Sequence, residues 1–313
     1  MKKIISLQTN YKTTMLKSCF AVILIIIGTQ TNAQLLDGSK NLFSDEPFFN
    51  IDFVKVNKIK AITGELLYKK DNEIIQSRNK FIRYDFDSLG RMFRIVNIFI
   101  RIDSIVDTTI SAFHYDEKNR MITKRVSDNF GFYSLNYDYD SHDNITKGTY
   151  CREISSGNSQ SNFVLAKQYP IAFDAFEYEY LSAIQYKKKT LNNLGKPYKE
   201  IIVNKNQAGQ IVEEYGKLIV TSKIEKINYA YDEKYRLIEK VDYSNVSEEN
   251  KIVFKYKYDI QNNILEFEKY QNDVLIFHSE FLYDENHLFT SQVSRDEGNK
   301  TIDISKYSYD FFE

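Results

Sequence analysis

A short phrase that returns about every 26 residues constrains this chain more than any other feature of it. It reads YDFDSLGRM at Tyr84–Met92, FHYDEKNRM at Phe113–Met121 and YDYDSHDNI at Tyr137–Ile145. It returns as YAYDEKYRL at Tyr229–Leu237, YKYDIQNNI at Tyr256–Ile264, FLYDENHL at Phe281–Leu288 and YSYDFF at Tyr307–Phe312. Self-similarity at a fixed period means repetition of one supersecondary unit. The second aromatic, or its equivalent, falls at Lys205, Tyr231, Tyr258, Tyr283 and Tyr309, spaced by 26, 27, 25 and 26 residues. Upstream, Phe86, Tyr115 and Tyr139 are spaced by 29 and 24. Between the halves the register is disturbed. LNNLGK at Leu191–Lys196 comes 52 residues after Tyr139, and VNKNQAGQIV at Val203–Val212 follows after half a period.

Within a period the residues alternate. Ile252, Phe254, Tyr256 and Tyr258 share one face, while Lys251, Lys255 and Lys257 share the other with Val253. Period two is the signature of a half-buried strand. One unit therefore predicts two antiparallel strands of about ten residues, each about 33 Å long, joined by short turns. The Asp that closes each phrase accepts hydrogen bonds from main-chain N–H groups two residues on. Gly90, Gly195 and Gly209, or Asn119, Asn144 and Asn263 near the same place, supply the left-handed residue of a tight turn. With 24 Tyr, 22 Phe, 11 Gly and 3 Pro in 313 residues, composition favours strands joined by Asn/Asp turns. The fold class expected is all-β, a long antiparallel meander of 18–20 strands (about 26 residues per hairpin repeat) curled into a strip, shell or open barrel.

Residues 1–33 read as a secretory signal peptide. Lys12 and Lys17 precede the apolar run Cys19–Ile27, and cleavage is expected near Ala33. Met15 is an alternative start to Met1. Lys2, Lys3, Lys12 and Lys17 leave with the signal, so the 42 basic residues fall by four to 38 against 43 acidic ones, net −5. That balance excludes a general nucleic-acid binder. No further segment reads as a transmembrane helix. Residues 34–52 are aperiodic and read as an N-terminal arm or cap, and 53–313 as a single repeat-built β domain. An irregular insertion is expected around 152–172, where SSGNSQSN and Pro170 fall. Beyond it, Phe176, Tyr178, Tyr180, Ser182, Ile184 and Tyr186 alternate as one strand.

The Y-x-Y-D-x-x-G-R-hydrophobic pattern resembles the YD repeats of Rhs and teneurin-like proteins, most closely at YDFDSLGRM and FHYDEKNRM. The Gly is kept at Gly90, with Asn119, Asp143, Tyr235 and Asn262 in its place elsewhere, and the Arg at Arg91, Arg120 and Arg236. The resemblance covers most of residues 65–313. It implies hairpin strips wrapped into a wall, a secreted or surface-associated setting, and no family-wide catalytic residues; enclosure of a toxin domain is not carried over.

The repeated Asp87, Asp116, Asp140, Asp232, Asp259 and Asp284 are explained by turn geometry. The densest oxygen cluster, Asp138, Asp140, Asp143 and Asn144, is a candidate cation loop that lacks the rest of an EF-hand. His114, His142, His278 and His287 show no metal spacing, and no nucleophile or phosphate-loop motif occurs. Rows of Tyr beside Lys and Glu fit either cross-strand pairing or contact with sugar rings. The reading is an exported, non-catalytic β-repeat scaffold or binding protein of the cell envelope without a cofactor, its candidate partners a glycan or an envelope protein. Two alternatives stand beside it: a secreted protein that binds or hydrolyses polysaccharide, with two converging carboxylates if a hydrolase, and an outer-membrane β-barrel.

Overall fold

The structure, a computed structural model, describes residues 34–313 apart from 71, 102–104, 129–130, 158–161, 245–250 and 300. The signal-peptide reading of residues 1–33 lies outside the described residues. A short helix α1 (Ile51–Val56) precedes the sheet, opened by Asn50, whose side chain accepts from the N–H groups of Asp52 and Phe53. Its bounds straddle the boundary expected between residues 52 and 53.

Among the described residues the chain forms 18 strands. The first nine are β1 (Ile59–Lys70), β2 (Gln76–Phe86), β3 (Met92–Ile100), β4 (Val106–Tyr115), β5 (Met121–Asp128), β6 (Gly131–Tyr139), β7 (Ile145–Ser155), β8 (Leu165–Ser182) and β9 (Gln185–Leu191). The second nine are β10 (Pro197–Lys205), β11 (Ile211–Leu218), β12 (Ile224–Tyr231), β13 (Leu237–Ser244), β14 (Lys251–Tyr258), β15 (Ile264–Gln271), β16 (Val274–Tyr283), β17 (Phe289–Asp296) and β18 (Thr301–Phe311). Each pairs antiparallel with the next. β18 then returns to β1, from Ile59↔Phe311 to Lys70↔Thr301, so the meander closes as a β-barrel. Closure removes both edges, which an open strip would have had to protect.

The disturbed register of the middle now has a cause. The connections from each even strand to the next odd one share one rim of the barrel, and seven of those eight carry the Asp/Asn turn: Asp87, Asp116, Asp140, Asn206, Asp232, Asp259 and Asp284. The eighth is a two-residue turn at Ala183 and Ile184 between β8 and β9. LNNLGK joins β9 to β10 and so belongs to the opposite rim. It repeats the turn chemistry, with the Gly195 N–H bonded to the Asn192 carbonyl at 2.9 Å, but half a period out of phase.

Two expectations are corrected here. The stretch 176–186 is not one strand. Tyr180 pairs with Tyr186 across the turn, and partners of equal parity let the alternation pass through unbroken. The irregular insertion around 152–172 shrinks to the connection 156–164, because β7 runs to Ser155 and β8 starts at Leu165. Pro170 is accommodated in β8 beside a bulge, where it faces Cys151.

Candidate functional site: the plugged lumen

The rim of Asp turns shows what the repeated phrase does. Asp87 bonds through Oδ1 to the N–H groups of Leu89 and Arg91, both at 3.0 Å, and through Oδ2 to Arg91 Nε at 2.7 Å. The fourth residue of each turn is left-handed: Gly90, Asn119, Asp143, Gly209, Tyr235, Asn262 and His287. Asp143 and Asn262 hold that place rather than the expected Asn144 and Asn263. Those two asparagines instead occupy the Arg position, where their amides donate to Asp140 and Asp259 at 2.9 Å. Each kept Arg also reaches the next repeat. Arg91, Arg120 and Arg236 donate to Asn119, Asp143 and Asn262 and lie 4.6–5.0 Å from the rings of Tyr115, Tyr139 and Tyr258. The second aromatic of the phrase closes the link, its hydroxyl donating to the first carbonyl of an odd strand in the preceding hairpin. Tyr115, Tyr139, Tyr231, Tyr258, Tyr283 and Tyr309 do this at 2.6–2.9 Å. Tyr178 reaches Ile145 in the same way at 3.1 Å.

The candidate cation loop lies on this rim. The Asp140 carboxylate is engaged by the N–H groups of His142 and Asn144 and by the Asn144 amide, which together hold it below the usual carboxylate range. Asp143 is engaged by Arg120 at 2.8 Å. Asp138 sits on the strand, opposite Lys147 in the ladder. The structure does not draw the three carboxylates to one point; each serves its own turn or strand.

Strand parity separates two surfaces. Tyr84 pairs with Ile62 and Ile95, and this row packs on residues 35–54, so it faces inward. Residues 35–50 form a loop pinned by the Leu36↔Phe49 bridge and by the Asn50 N–H on the Leu35 carbonyl at 2.8 Å. The loop lies inside the barrel and touches the wall on both sides of the β18–β1 seam. Phe48 and Phe49 set their rings against Tyr84 at 5.5 and 5.0 Å, and Phe43 packs 5.9 Å from both Phe281 and Phe289. Leu35, Leu36, Phe48 and Val54 are fully buried, each such side chain stabilising the fold by about 1.5–3 kcal/mol. Lys124 completes the attachment, its ammonium 2.7 Å from both Asp45 and Glu46. The expected arm or cap is therefore a plug. Its apolar residues follow no period because their partners come from many strands at once.

Above the plug the lumen holds two adjoining chambers. The inner one, about 410 Å³, has Phe43 of the plug on its wall together with Ile82, Tyr84, Tyr307, Asn97 and Thr109. The outer one, about 530 Å³, is lined by Tyr68, Lys70 and Arg78 among others. Lys80 and Phe99 line both, so the chambers meet there. Asp107 is the one carboxylate among their described lining residues.

The outer wall has the opposite character. On β14 it presents Lys251, Val253, Lys255 and Lys257. Lys257 reaches Glu266 at 2.5 Å and Glu268 at 3.6 Å, Lys226 reaches Glu213 at 3.0 Å, and Asp85 is clasped by Arg83 and Arg94. Glu266, Glu268 and His278 also come within 4.8 Å of one another on this wall, through the Glu268↔His278 register of β15 and β16. Sequence spacing could not show that group, because the histidine arrives from the other arm of a hairpin. The Lys257 ammonium already pairs with both carboxylates and offsets one of their two charges.

No protein-family profile matches the sequence, and no curated protein does. Among solved structures the chain is similar to a porin-like protein from Bacteroides uniformis at 9% identity and a TM-score of 0.39, covering 81% of this chain and 97% of that one. A porin-like protein from Bacteroides vulgatus is similar at 8% identity and a TM-score of 0.30, covering 79% of this chain and 97% of that one.

Proposed function

We propose that the chain is an exported, non-catalytic β-barrel of the cell envelope that works in an aqueous compartment as a binding protein, with the plugged lumen as its ligand chamber. The observation that carries this is the outer wall of β14–β16, where lysines and glutamates pair with one another in place of an apolar face. A barrel that spans an outer membrane shows lipid an apolar band about 25 Å tall. Lys251, Lys255 and Lys257 on one outward row speak against such a band, since each lysine at the bilayer midplane costs about 2–4 kcal/mol. The closed barrel of the outer-membrane alternative thus stands, and its place across a bilayer does not follow. The hydrolase alternative asks for two carboxylates about 5–9.5 Å apart, and the chambers offer Asp107.

Expression of the full chain in a Gram-negative host, followed by fractionation, tests the reading. The chain is expected in the soluble envelope fraction, with an N-terminus starting near Gln34. Recovery solely from carbonate-washed membranes, with detergent needed to extract it, overturns the proposal.

A further inference from the structure

The two chambers differ in what they could hold. In the inner one the rings of Phe43, Tyr84 and Tyr307 stand beside polar groups of the β3–β4 ladder, where Asn97 faces Thr109 and the Asp107 carboxylate faces Phe99. Gln292, on the same wall, is committed to Ser279 at 2.9 Å. The outer chamber carries Lys70, Arg78 and Lys80, and no acid occurs among its described lining residues. Arg78 is engaged by Asp303. The Lys80 ammonium rests 5.3 Å from the centre of the Phe99 ring, at the junction of the chambers. A cation held over an aromatic face can exchange that weak contact for a charge-assisted bond to an anion. The inner chamber combines those rings with the polar side chains of Asn97, Asp107, Thr109 and Ser305. Its volume of about 410 Å³ suits one compact body rather than a polymer.

The geometry points to a small amphipathic monocarboxylate as the occupant, its acid at Lys80 and Lys70 and its aliphatic or aryl body against Phe99, Tyr307 and Phe43. The inference rests on the reading of the lumen as a ligand chamber.

Displacement of bound 1-anilinonaphthalene-8-sulfonate from the mature full chain tests it, with dodecanoate, dodecanol and maltotriose as competitors. Dodecanoate is expected to act at about tenfold lower concentration than dodecanol, the worth of one charge-assisted contact. Lys80→Met should remove that preference and leave dodecanol unchanged, with Lys80→Gln as a second variant if the first fails to fold. Thr109→Trp, which fills the inner chamber, should weaken every competitor. Equal potency of dodecanoate with dodecanol or maltotriose overturns the carboxylate assignment while the chamber reading survives. A preference that persists in both Lys80 variants overturns the assignment as well. Displacement by none of the three, or displacement unaffected by Thr109→Trp, overturns the chamber reading itself.

Discussion

The Tyr115 hydroxyl donates a 2.6 Å hydrogen bond to the main-chain oxygen of Met92, and that contact joins one hairpin to the hairpin before it. The same bond recurs around the rim. It explains why the second aromatic of the phrase is nearly always tyrosine: the ring fills the lumen and the hydroxyl satisfies a carbonyl beside a tight turn. Tyr115→Phe keeps the ring and removes the donor, so it should lower stability by about 1 kcal/mol. A urea midpoint unchanged from the parent protein would refute the role.

Gly90 and Gly209 occupy the same turn position, with φ of 83° and 84°, yet differ in surroundings. A Cβ on Gly90 would stand 2.3 Å from the Ile51 carbonyl of α1, whereas nothing lies within 4 Å at Gly209. Asparagine serves at the equivalent Asn119 and Asn262. Gly209→Asn is therefore expected to be close to neutral. Gly90→Asn should displace α1 and cost more than 1 kcal/mol. Equal thermal midpoints for the two variants would rule out the packing of α1 as the reason glycine is kept there.

The plug should behave as core. Phe48 is fully buried, and Phe48→Ala is expected to cost about 3–5 kcal/mol, read as a large fall in the denaturation midpoint. Lys124→Met removes the ionic attachment without a cavity. Its expected signature is faster proteolysis within residues 38–46, with the barrel left intact. Cleavage at the parental rate would show that aromatic packing alone retains the plug.

Alkaline stability has a definite sign. Burial pushes the hydroxyls of Tyr137, Tyr178, Tyr256 and Tyr307 up to about 12 from the ordinary 10.0. The unfolded chain ionises first, so stability is intact below about pH 10 and falls as the pH rises toward about 12. Phenolate absorbance should rise in two phases, exposed tyrosines before buried ones, with the second phase coinciding with loss of structure. A single phase near 10 in a chain that stays folded would contradict the burial of these rings.

Much of the fold is legible in the residues. The alternation of β14 and the Asp turns give strands, hairpins and period directly, because both signals are local. Closure is not legible, since nothing in β1 or β18 says that Ile59 will meet Phe311. Nor is the plug: Phe43, Phe48 and Phe49 carry no period, and the walls they touch are far away in sequence. The Ala183–Ile184 turn leaves no local mark in the sequence, because it lacks Gly, Asn and Asp and preserves parity. The chambers are beyond sequence reasoning for the same reason as closure, being made by walls that meet only once the ring is complete.

The pairing of β1 with β18 also sets a clock. Each hairpin can form as soon as its own two strands exist, but this seam joins residues some 250 positions apart. The added entropy of closing so long a loop, compared with one repeat, is only about 2 kcal/mol, so the delay is one of order rather than of energy. A chain emerging end first must carry β1, paired with β2 on one side, with its other edge open until β18 arrives. Throughout that interval the molecule has two adhesive borders that the finished barrel lacks. The speed of the final join, more than the strength of any repeat, then decides how much of the protein escapes self-association.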